Sequence, residues 1–560
     1  MKKSNPSFTR DVFKILLPYW KSEKKWEGLS LLAITLGSLT GFVFLQLELN
    51  IWGNLFYTAI QEVNLKAFLN LLVEFTWLAF ASIATFLIAF YAQQHLLLRW
   101  WKWLTNFYIQ KWLENKNYYH LLLHGSKTDN PDQRIADDIH RFCFQTLTFF
   151  FGFFQKVLTL VTFFGVLWAL SGTLRIPLGS TTIEISGYMF WGGLIYAVIG
   201  SFISIKLGRP LIHLSYTQER READLRYSLI RFRDHAEGIA FHDGEQQESQ
   251  TFKDRFSYVY DNFTSIIRTN FFISGWLSFY NQSANIFPML LVAPRYFSHQ
   301  VTFGALMQTL SACNHVYEAL FFLVNQYPNI AEWSATTNRL LVFLNEMESL
   351  DTLPKDIQVK SSEDLKCHNL TVNLPQSKVL LDNLNLQFIP GEHTLITGPS
   401  GIGKSTFMRS LAGIWPFGKG EIHVETKGLM FLPQKPYMPL GTLKQIISYP
   451  SPAETLPESE FVRLLGLVEL NDLAPRLSNI EDWNRVLSLG EQQRISILRA
   501  IIAKPKWLLM DEATSSLDTT TEKKIMDLLH KSLPETTFIS VGHRQSLTEW
   551  HTRVIDFQTI

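Results

Sequence analysis

Six long apolar stretches occur in the first 330 residues of the chain. They lie near residues 28–49, 67–92, 143–170, 187–207, 268–296 and 303–327. A helix needs about 20 mostly apolar residues to cross a bilayer, and each stretch reaches that length. The second is the plainest and contains one charge, Glu74, whereas the fifth and sixth are more polar. The pattern predicts an all-α membrane domain with six spans, in contact with the lipid bilayer. So many stretches disfavour the alternative, buried helices in a large soluble core.

The distribution of positive charge predicts the orientation of these spans. Residues 1–27 contain seven Lys or Arg and no apolar run followed by a small-residue cleavage site, so we expect no cleaved signal peptide. The connections after the second and fourth spans are rich in Lys and Arg, whereas the opposite connections are short and contain only Lys66 and Arg175. The positive-inside rule therefore predicts that both ends and both long connections are cytoplasmic. Residues 8–22 are expected to form an interfacial helix.

The two long connections also show helical patterns with apolar and charged faces. The spans are therefore expected to continue into the cytoplasm. We predict that short helices near residues 130–138 and 237–244 dock near the loop of Gln434 and couple the two halves of the protein. The alternative is that their charges form an ordinary solvated face.

The pattern changes after residue 325. A short charged segment with Pro354 is followed by strand-like runs that alternate with helical ones, namely LNLQF, HTLITG, LMFLPQ, WLLMDE and TTFISV. This alternation predicts an α/β domain with a mainly parallel sheet. The predicted organisation is a membrane domain at residues 1–345, a linker at 346–364 and an α/β domain at 365–560.

A glycine-rich loop follows the run HTLITG. It consists of Gly398, Pro399, Ser400, Gly401, Ile402, Gly403, Lys404, Ser405 and Thr406. This is a complete G-x-x-x-x-G-K-S loop between a strand and a helix, the context in which it binds nucleoside triphosphates. Its glycines let backbone N–H groups approach phosphate oxygens, and the following helix N-terminus favours negative charge. We expect Lys404 to reach the β- and γ-phosphates and Ser405 to hold Mg²⁺.

Two carboxylates follow the apolar run WLLM. Asp511 and Glu512 stand at the predicted end of a buried strand. An acidic pair in such a place is usually structural. Together with the glycine-rich loop, it suggests that Asp511 holds Mg²⁺ through water and that Glu512 deprotonates the attacking water during ATP hydrolysis.

Composition excludes several other classes of protein. The 51 basic and 50 acidic residues give a net charge of +1, so we expect no nucleic-acid partner. Aromatic residues make up 14% and charged residues 18% of the chain, the opposite of a disordered protein. The three cysteines are far apart in sequence, which excludes a disulfide scaffold and a local cysteine zinc site.

Further motifs resemble those of one family. The segment Leu487, Ser488, Leu489, Gly490, Glu491, Gln492, Gln493 and Arg494 is similar to the ABC signature. Gln434 in FLPQKPY resembles the Q-loop glutamine, SSLD at 515–518 resembles the D-loop, and His543 in SVGHR resembles the switch histidine. In this order they resemble an ABC nucleotide-binding domain. The resemblance implies that Gln434 shares the Mg²⁺ site and that His543 contacts the γ-phosphate.

The membrane half has a resemblance of its own. ELNIWGNLFYTAIQ, NPDQRIADDI, GRPLIHLSYTQERREADLR and HAEGIAFHDGE are similar to the membrane domain shared by SbmA/BacA-like uptake proteins and ABC subfamily D. A bacterial fusion of the YddA type fits nearly the whole chain. The resemblance implies an ABC half-transporter of the bacterial inner membrane, working as a dimer in which each glycine-rich loop meets the partner's signature through Ser488, Gly490 and Glu491.

The sequence departs from the family pattern near the nucleotide. Leu489 replaces the usual first glycine of the signature, and Glu491 replaces its common glutamine. Leu374 occupies the position where an aromatic residue usually stacks on adenine. Leu489 bears on how closely the signature turn approaches the γ-phosphate, and Leu374 bears on base preference. None of these changes removes a group that binds metal or transfers protons.

The function that follows is ATP-driven transport of a solute. Its rivals are an ATP-gated channel or regulator, and a soluble P-loop ATPase with a membrane anchor. The resemblance leaves import and export open, and it allows a peptide or other hydrophilic solute as well as an acyl-CoA.

A polar face in the sixth span suggests a path for the solute. It is formed by Gln308, Ser311, His315, Glu318 and Asn325, which lie within about a 100° arc of a helix. The fifth span has a matching cluster of Asn281, Gln282 and Asn285. Polar groups avoid lipid, so these faces are expected to line a cavity, or else to hold the bundle together by hydrogen bonds.

Overall fold

The protein forms two compact units, Met1–Asp351 and Thr352–Ile560. The computed structural model describes residues 6–125, 130–178, 181–351, 356–375, 378–425, 428–542 and 544–558. His543 therefore lies outside the described residues, as does the side chain of Asn325. Each unit is described below by itself.

The first unit is helical. Its helices are α1 (Pro6–Lys21), α2 (Lys25–Gln61), α3 (Leu65–Leu113), α4 (Asn117–Leu123), α5 (Pro131–Gln133), α6 (Ile139–Ser171), α7 (Tyr188–Asp234), α8 (Ala236–Phe241), α9 (Glu245–Phe297) and α10 (Phe303–Asp351). A π-helical turn, Arg134–Asp138, joins α5 to α6, and an antiparallel hairpin of β1 (Thr173–Leu178) and β2 (Thr181–Ser186) joins α6 to α7. At about 1.5 Å per residue, the 49 residues of α3 are more than twice as long as a bilayer core is thick.

Four helical stretches of the described residues are long and apolar enough to cross a membrane. They are Lys25–Gln61, Leu65–Leu123, Pro131–Ser171 and Tyr188–Asp234. They contain the first four predicted spans. The fifth and sixth predicted spans lie in α9 and α10, which form as continuous helices but are not among the four. Their lower hydropathy comes from polar side chains such as those of Asn281, Gln282 and Glu318.

A core of large side chains holds α1, α3, α6 and α10 together. Trp100, Leu104 and Tyr108 recur every four residues on one face of α3, and each is at most 1% exposed. They pack in one cluster with Phe142 of α6 and Phe343 of α10. The apolar side of the predicted interfacial helix, α1, joins this cluster through Ile15 and Tyr19.

The second unit contains two main sheets. The larger has the strand order β13-β6-β12-β11-β8 and is parallel, with β6 (Thr394–Thr397), β8 (Leu429–Leu432), β11 (Trp507–Asp511), β12 (Thr537–Val541) and β13 (Arg553–Asp556). The other has the order β3-β7-β4-β5, with β3 (Ile357–Lys360), β4 (Leu365–Asn373), β5 (Val379–Phe388) and β7 (Gly418–His423). Four of the five predicted strand runs belong to the parallel sheet, whereas LNLQF belongs to β5, which pairs antiparallel with β4.

Helices and one short pair of antiparallel strands complete the second unit. They are α11 (Lys404–Leu411), α12 (Leu443–Ser448), α13 (Glu458–Leu467), α14 (Trp483–Val486), α15 (Leu489–Ala503) and α16 (Thr519–Ser532), with β9 (Gly441–Thr442) paired to β10 (Ile480–Glu481). Inside the predicted linker, α10 continues to Asp351 and Ile357–Lys360 forms β3. The exact domain limits stay a prediction.

All three cysteines of the chain are reduced and buried. Cys143 is 0%, Cys313 8% and Cys367 1% exposed. In the second unit, burial raises the pKa of the Cys367 thiol to about 11. The thiols of all three are shielded from solvent.

Candidate functional site

The glycine-rich loop wraps around the side chain of Lys404. It leaves β6 at Thr397 and enters α11, and Gly398, Gly401 and Gly403 have the left-handed φ values of 135°, 84° and 114° that favour glycine. Lys404 is only 6% exposed, and its Nζ donates to the carbonyl oxygens of Gly398 at 2.7 Å and Pro399 at 2.9 Å. Burial lowers the pKa of Lys404, although the charges of Glu512, Asp511 and Asp556 oppose this shift.

Ser405 and Asp511 meet at the carboxyl edge of the parallel sheet. The Ser405 hydroxyl donates to Asp511 Oδ1 at 2.9 Å. Asp511 is 8% exposed, and burial raises the pKa of its carboxyl group, opposed by the hydrogen bond from Ser405 and by the charges of Arg409 and Lys404. The structure thus brings together a hydroxyl and a carboxylate from the two motifs singled out in the sequence.

Gln434 lies beside Glu512. The Gln434 Nε2 donates to Glu512 Oε2 at 2.9 Å, and the Glu512 N–H donates to the carbonyl oxygen of Val541 at 3.0 Å. Glu512 has a left-handed φ of 50°, which costs of order 1 kcal/mol for a residue with a Cβ. Because Asp511 is the last residue of β11, this conformation turns the chain at the strand end.

Ser488 and Glu491 begin α15 as a reciprocal cap. The Ser488 Oγ accepts from the Glu491 N–H at 3.3 Å, and Glu491 Oε2 accepts from the Ser488 N–H at 2.8 Å. A Cβ on Gly490 would lie 3.2 Å from the carbonyl oxygen of Ser516, so a side chain there would crowd the next motif. Leu489 is 39% exposed. Glu491, the departure from the family glutamine, therefore serves as a helix cap here.

Leu374 follows the end of β4 and is half-buried. Its N–H donates to the carbonyl oxygen of Lys378 at 2.8 Å, just before β5 begins. The first residues of β5 include Leu380 and Leu381, whose side chains lie near Gly403 of the loop. The predicted adenine-covering residue thus belongs to a segment that reaches the glycine-rich loop.

The sequence patterns assigned no individual role to three residues near the site. Arg544 donates from Nη1 to the carbonyl oxygen of Leu517 at 2.7 Å and from Nη2 to that of Ser515 at 2.8 Å. Glu522 is 2% exposed and lies 3.4 Å from Arg544, and Gln493 is fully buried against the same segment. The available signal was position alone: Gln493 belongs to the signature and Arg544 follows His543.

In the membrane unit, the predicted polar face divides into two groups. Gln308 is 7% exposed, and its Oε1 accepts from Asn54 Nδ2 at 2.8 Å, so it joins α10 to α2. Glu318 is 63% exposed and lies 3.7 Å from Lys156 Nζ of α6. The His315 ring stacks on Phe163 with 4.2 Å between centroids.

The other polar residues of this region differ in exposure. Ser311 is half-buried, whereas Asn281, Gln282 and Asn285 are exposed, and Asn281 Oδ1 accepts from Tyr317 Oη at 2.6 Å. Of the whole set, Gln308 thus behaves as a bundle-forming residue. Glu318 and the α9 amides stay accessible.

The π-helical turn before α6 places two neighbouring aspartates differently. Asp138 is buried and accepts from Arg134 Nη1 at 2.8 Å and from Arg339 Nε and Nη2 at 2.8 and 2.7 Å. Asp137 is exposed, as is Glu237 in α8. Of these three carboxylates, Asp137 and Glu237 are therefore accessible to another part of the protein, and Asp138 is not.

The chain matches two protein families. One is described as the ABC transporter transmembrane region 2 and matches residues 12–297, and the other as ABC transporter and matches residues 381–515. An ABC transporter ATP-binding protein of Synechocystis is 36% identical, over 96% of this chain and 81% of its own. The inner membrane ABC transporter ATP-binding protein YddA of Escherichia coli is 30% identical, over 98% and 97%. The human lysosomal cobalamin transporter ABCD4 is 26% identical, over 97% and 93%.

These matches cover both units and agree with the geometry of the loop around Lys404. ATP binding and hydrolysis therefore belong to the second unit, and the first unit is a membrane-spanning region. The chain belongs to the ABC transporters, as a half-transporter that fuses a membrane region to an ATP-binding domain and couples ATP hydrolysis to transmembrane transport.

Proposed function

We propose that the protein moves a peptide or another hydrophilic solute across the bacterial cytoplasmic membrane as a homodimer. Each protomer would have six spans, with α9 and α10 as the fifth and sixth and with both termini in the cytoplasm. The lengths of these helices, 53 and 49 residues, are sufficient for spans that continue outside the bilayer. The name of the Escherichia coli relative, an inner membrane protein, supports the location.

In the proposed ATP site, the loop from Gly398 to Thr406 cradles the phosphates. Its backbone N–H groups and the N-terminus of α11 would bind phosphate oxygens. Lys404 would leave the carbonyl oxygens of Gly398 and Pro399 and pair with the β- and γ-phosphates. Burial disfavours the charged form of Lys404, and a bound polyanion would stabilise that form. Leu374 would cover one face of the base.

The residues around Asp511 fit a magnesium ion. Ser405 Oγ and Asp511 Oδ1 are 2.9 Å apart, and Gln434 would add its amide oxygen, so the donors would be the hard oxygens that Mg²⁺ prefers. Bound there, the ion would neutralise charge on the phosphates. The raised pKa of Asp511 is a consequence of burial that a cation would reverse.

Glu512 is the proposed general base. Its carboxylate would take a proton from the attacking water, and Gln434 orients that carboxylate by the hydrogen bond at 2.9 Å. His543 would donate to the γ-phosphate. The cap at Ser488, with Gly490 and Glu491, would close over the ATP bound to the partner protomer, because one chain supplies a single loop and a single signature.

The observation that favours a hydrophilic solute is the ion pair of Lys156 and Glu318. The two side chains lie 3.7 Å apart on α6 and α10, and the Glu318 side chain is 63% exposed. An accessible pair of opposite charges suits a zwitterionic or polar solute and repels neither end of it. A lipid tail would gain nothing from such a site.

The human relative is named a cobalamin transporter, and a cobalamin is one of the polar solutes that the proposal includes. Two alternatives remain: an acyl-CoA or lipid-type exporter, and an ATP-gated channel or regulator.

Transport by proteoliposomes with a panel of peptides, cobalamin and acyl-CoAs would test the proposal. Substrate-stimulated ATPase should respond to the polar solutes and change in Glu318→Gln, while basal ATPase remains near wild type. Glu74→Gln, another exposed glutamate within a span, is the matched control and should behave like wild type. Stimulation by acyl-CoA alone, or an unchanged response in Glu318→Gln, would contradict the hydrophilic-solute proposal.

A further inference from the structure

Gln493 lies at the crossing of three functional segments of the ATP-binding unit. It belongs to the second turn of α15 and is 0% exposed. Its Nε2 donates to the main-chain oxygen of Gln434 at 2.9 Å, and its Oε1 accepts from the N–H of Ser516 at 3.0 Å. One side-chain amide therefore joins the loop of Gln434 to the segment of Ser516, where Nε2 also reaches Ser515 Oγ at 3.5 Å.

Both partners belong to segments that contact other residues of the ATP site. Gln434, held through its main-chain oxygen, donates from Nε2 to the carboxylate of Glu512. Ser516, held through its N–H, belongs to the segment after Glu512 that Arg544 also binds. The helix that carries Gln493 begins at the Ser488 cap. Displacement of the Gln493 amide would thus move the orienting group and leave the glycine-rich loop in place.

The neighbouring glutamine provides an internal comparison. Gln492 is 4% exposed, and its Nε2 donates to the carbonyl oxygens of Asn484 at 3.0 Å and Leu487 at 2.9 Å. Both partners lie in the segment leading into α15. The two glutamines are alike in residue type, burial and use of the amide donor, but only Gln493 is bonded to the loops of Gln434 and Ser516.

We infer that Gln493 is a positioning residue for ATP hydrolysis. By fixing the main chain of Gln434 and Ser516, it keeps the Gln434 amide on the Glu512 carboxylate and so aligns the base with the water. This inference rests on the proposed roles of Gln434 and Glu512. The hydrogen bonds of the Gln493 side chain go to Gln434, Ser515 and Ser516, and not to the phosphate-binding residues Lys404 and Ser405. Its loss should therefore lower kcat and leave the KM for ATP nearly unchanged.

The test compares Gln493→Leu with Gln492→Leu in the purified full-length protein. Both variants lose buried hydrogen bonds, so both should melt at a lower temperature. Gln493→Leu should lower kcat by about tenfold or more with KM within about twofold of wild type, whereas Gln492→Leu should keep kcat within about twofold. Equal kcat values for the two variants, or a loss confined to KM, would overturn the inference.

A second variant covers the case in which Gln493→Leu does not fold. Gln493→Glu is isosteric, but its ionised carboxylate would face the Gln434 carbonyl oxygen, whereas the protonated acid can donate to it. Burial favours the protonated form, so the ATPase rate relative to wild type should rise at least about threefold from pH 8 to pH 6. A flat ratio would count against the positioning role.

Glu512→Gln is measured alongside these variants to separate two kinds of failure. Full turnover in Glu512→Gln would refute the base assignment of the proposed function. Loss of turnover in Glu512→Gln, together with unaffected kcat in Gln493→Leu, would refute only the inference about Gln493.

Discussion

At the scale of single residues, the backbone and the side chain of Glu512 are both held by neighbouring groups of the ATP site. Its backbone has a left-handed φ of 50°, its N–H is bonded to Val541, and its carboxylate is bonded to Gln434. A residue held in an unfavourable backbone conformation needs surrounding contacts that keep it there. The position of the carboxylate is thus set before nucleotide arrives, which suits a base that acts on a single water molecule.

Glu512→Gln should therefore separate ATP binding from hydrolysis. The amide keeps the shape and the contact with Gln434 but cannot take a proton, so turnover should fall about 10²-fold or more while ATP still binds. Phosphate release and binding of a fluorescent ATP analogue measure the two steps. Glu454→Gln, at an exposed position of the same unit, is the control and should keep full turnover. Unchanged phosphate release in Glu512→Gln would remove Glu512 from the role of base.

The residue scale also shows what the sequence can predict about a site. The Lys404 loop and the Asp511–Glu512 pair were predictable because each is a contiguous pattern whose flanking apolar runs specify strand ends. The bonds of Gln493, Arg544 and Glu522 depend on which loops a helix meets after folding, and no local spacing encodes that. Gln308 illustrates the same limit: helical periodicity gave its face, but only the packing of α2 decided that it bonds Asn54.

At the scale of elements, the start of strand β12 is bonded to a neutral histidine. Burial lowers the pKa of His393 to about 4, and the charges of His530 and His551 act in the same direction. The His393 Nδ1 accepts from the N–H of Phe538 at 3.2 Å, which a protonated ring cannot do. Since the folded pKa lies below the ordinary value of about 6.5, this contribution to stability is complete above about pH 6.5 and decreases as pH falls towards 4.

Acidification should consequently lower the local stability of β12. Hydrogen exchange of the Thr537–Val541 amides, corrected for the intrinsic rate, should accelerate between pH 7 and pH 5. His393→Gln offers an acceptor that does not titrate, so its acceleration should be smaller. Equal acceleration in the variant and the wild type would mean that another group controls this strand.

A second prediction at this scale concerns the turn before α6, in which Asp137 is exposed and Asp138 is buried. Asp138→Asn breaks a buried pair with Arg134 and Arg339 and should cost about 3 kcal/mol of stability in the membrane unit. Asp137→Lys changes an exposed charge and should leave stability intact. If this turn couples the two halves, Asp137→Lys should lower transport several-fold while basal ATPase is retained. Normal transport in Asp137→Lys would favour the solvated-face interpretation.

At the scale of the whole molecule, hydropathy predicted the helices of the membrane unit better than it predicted their roles. α2, α3, α6 and α7 contain stretches apolar enough to identify as spans, whereas α9 and α10 combine comparable length with a more polar composition. A helix that lines a polar path or bonds to neighbouring helices has lower hydropathy for that reason. The property that makes the last two helices candidates for solute binding also makes them weak signals in a sequence.

The proposed dimer predicts that two different defects can complement each other. Lys404→Ala removes the phosphate contact from one loop, and Ser488→Arg blocks the cap at one signature. Mixed dimers of the two variants would retain one intact site if loop and signature meet across protomers, so ATPase activity should return above that of either parent. A co-assembled mixture as inactive as both parents would contradict sites shared between protomers.

The burial of the three cysteines has a practical consequence for labelling the protein at chosen sites. Cys143, Cys313 and Cys367 are all less than 10% exposed, so water-soluble maleimide probes should leave the native chain largely unmodified. A single cysteine introduced in place of Asp137 or Glu237 could then be labelled with a spin label or fluorophore, while the native cysteines stay largely unlabelled. Distances between the two labels of a dimer could be followed through the nucleotide cycle with every native thiol still in place.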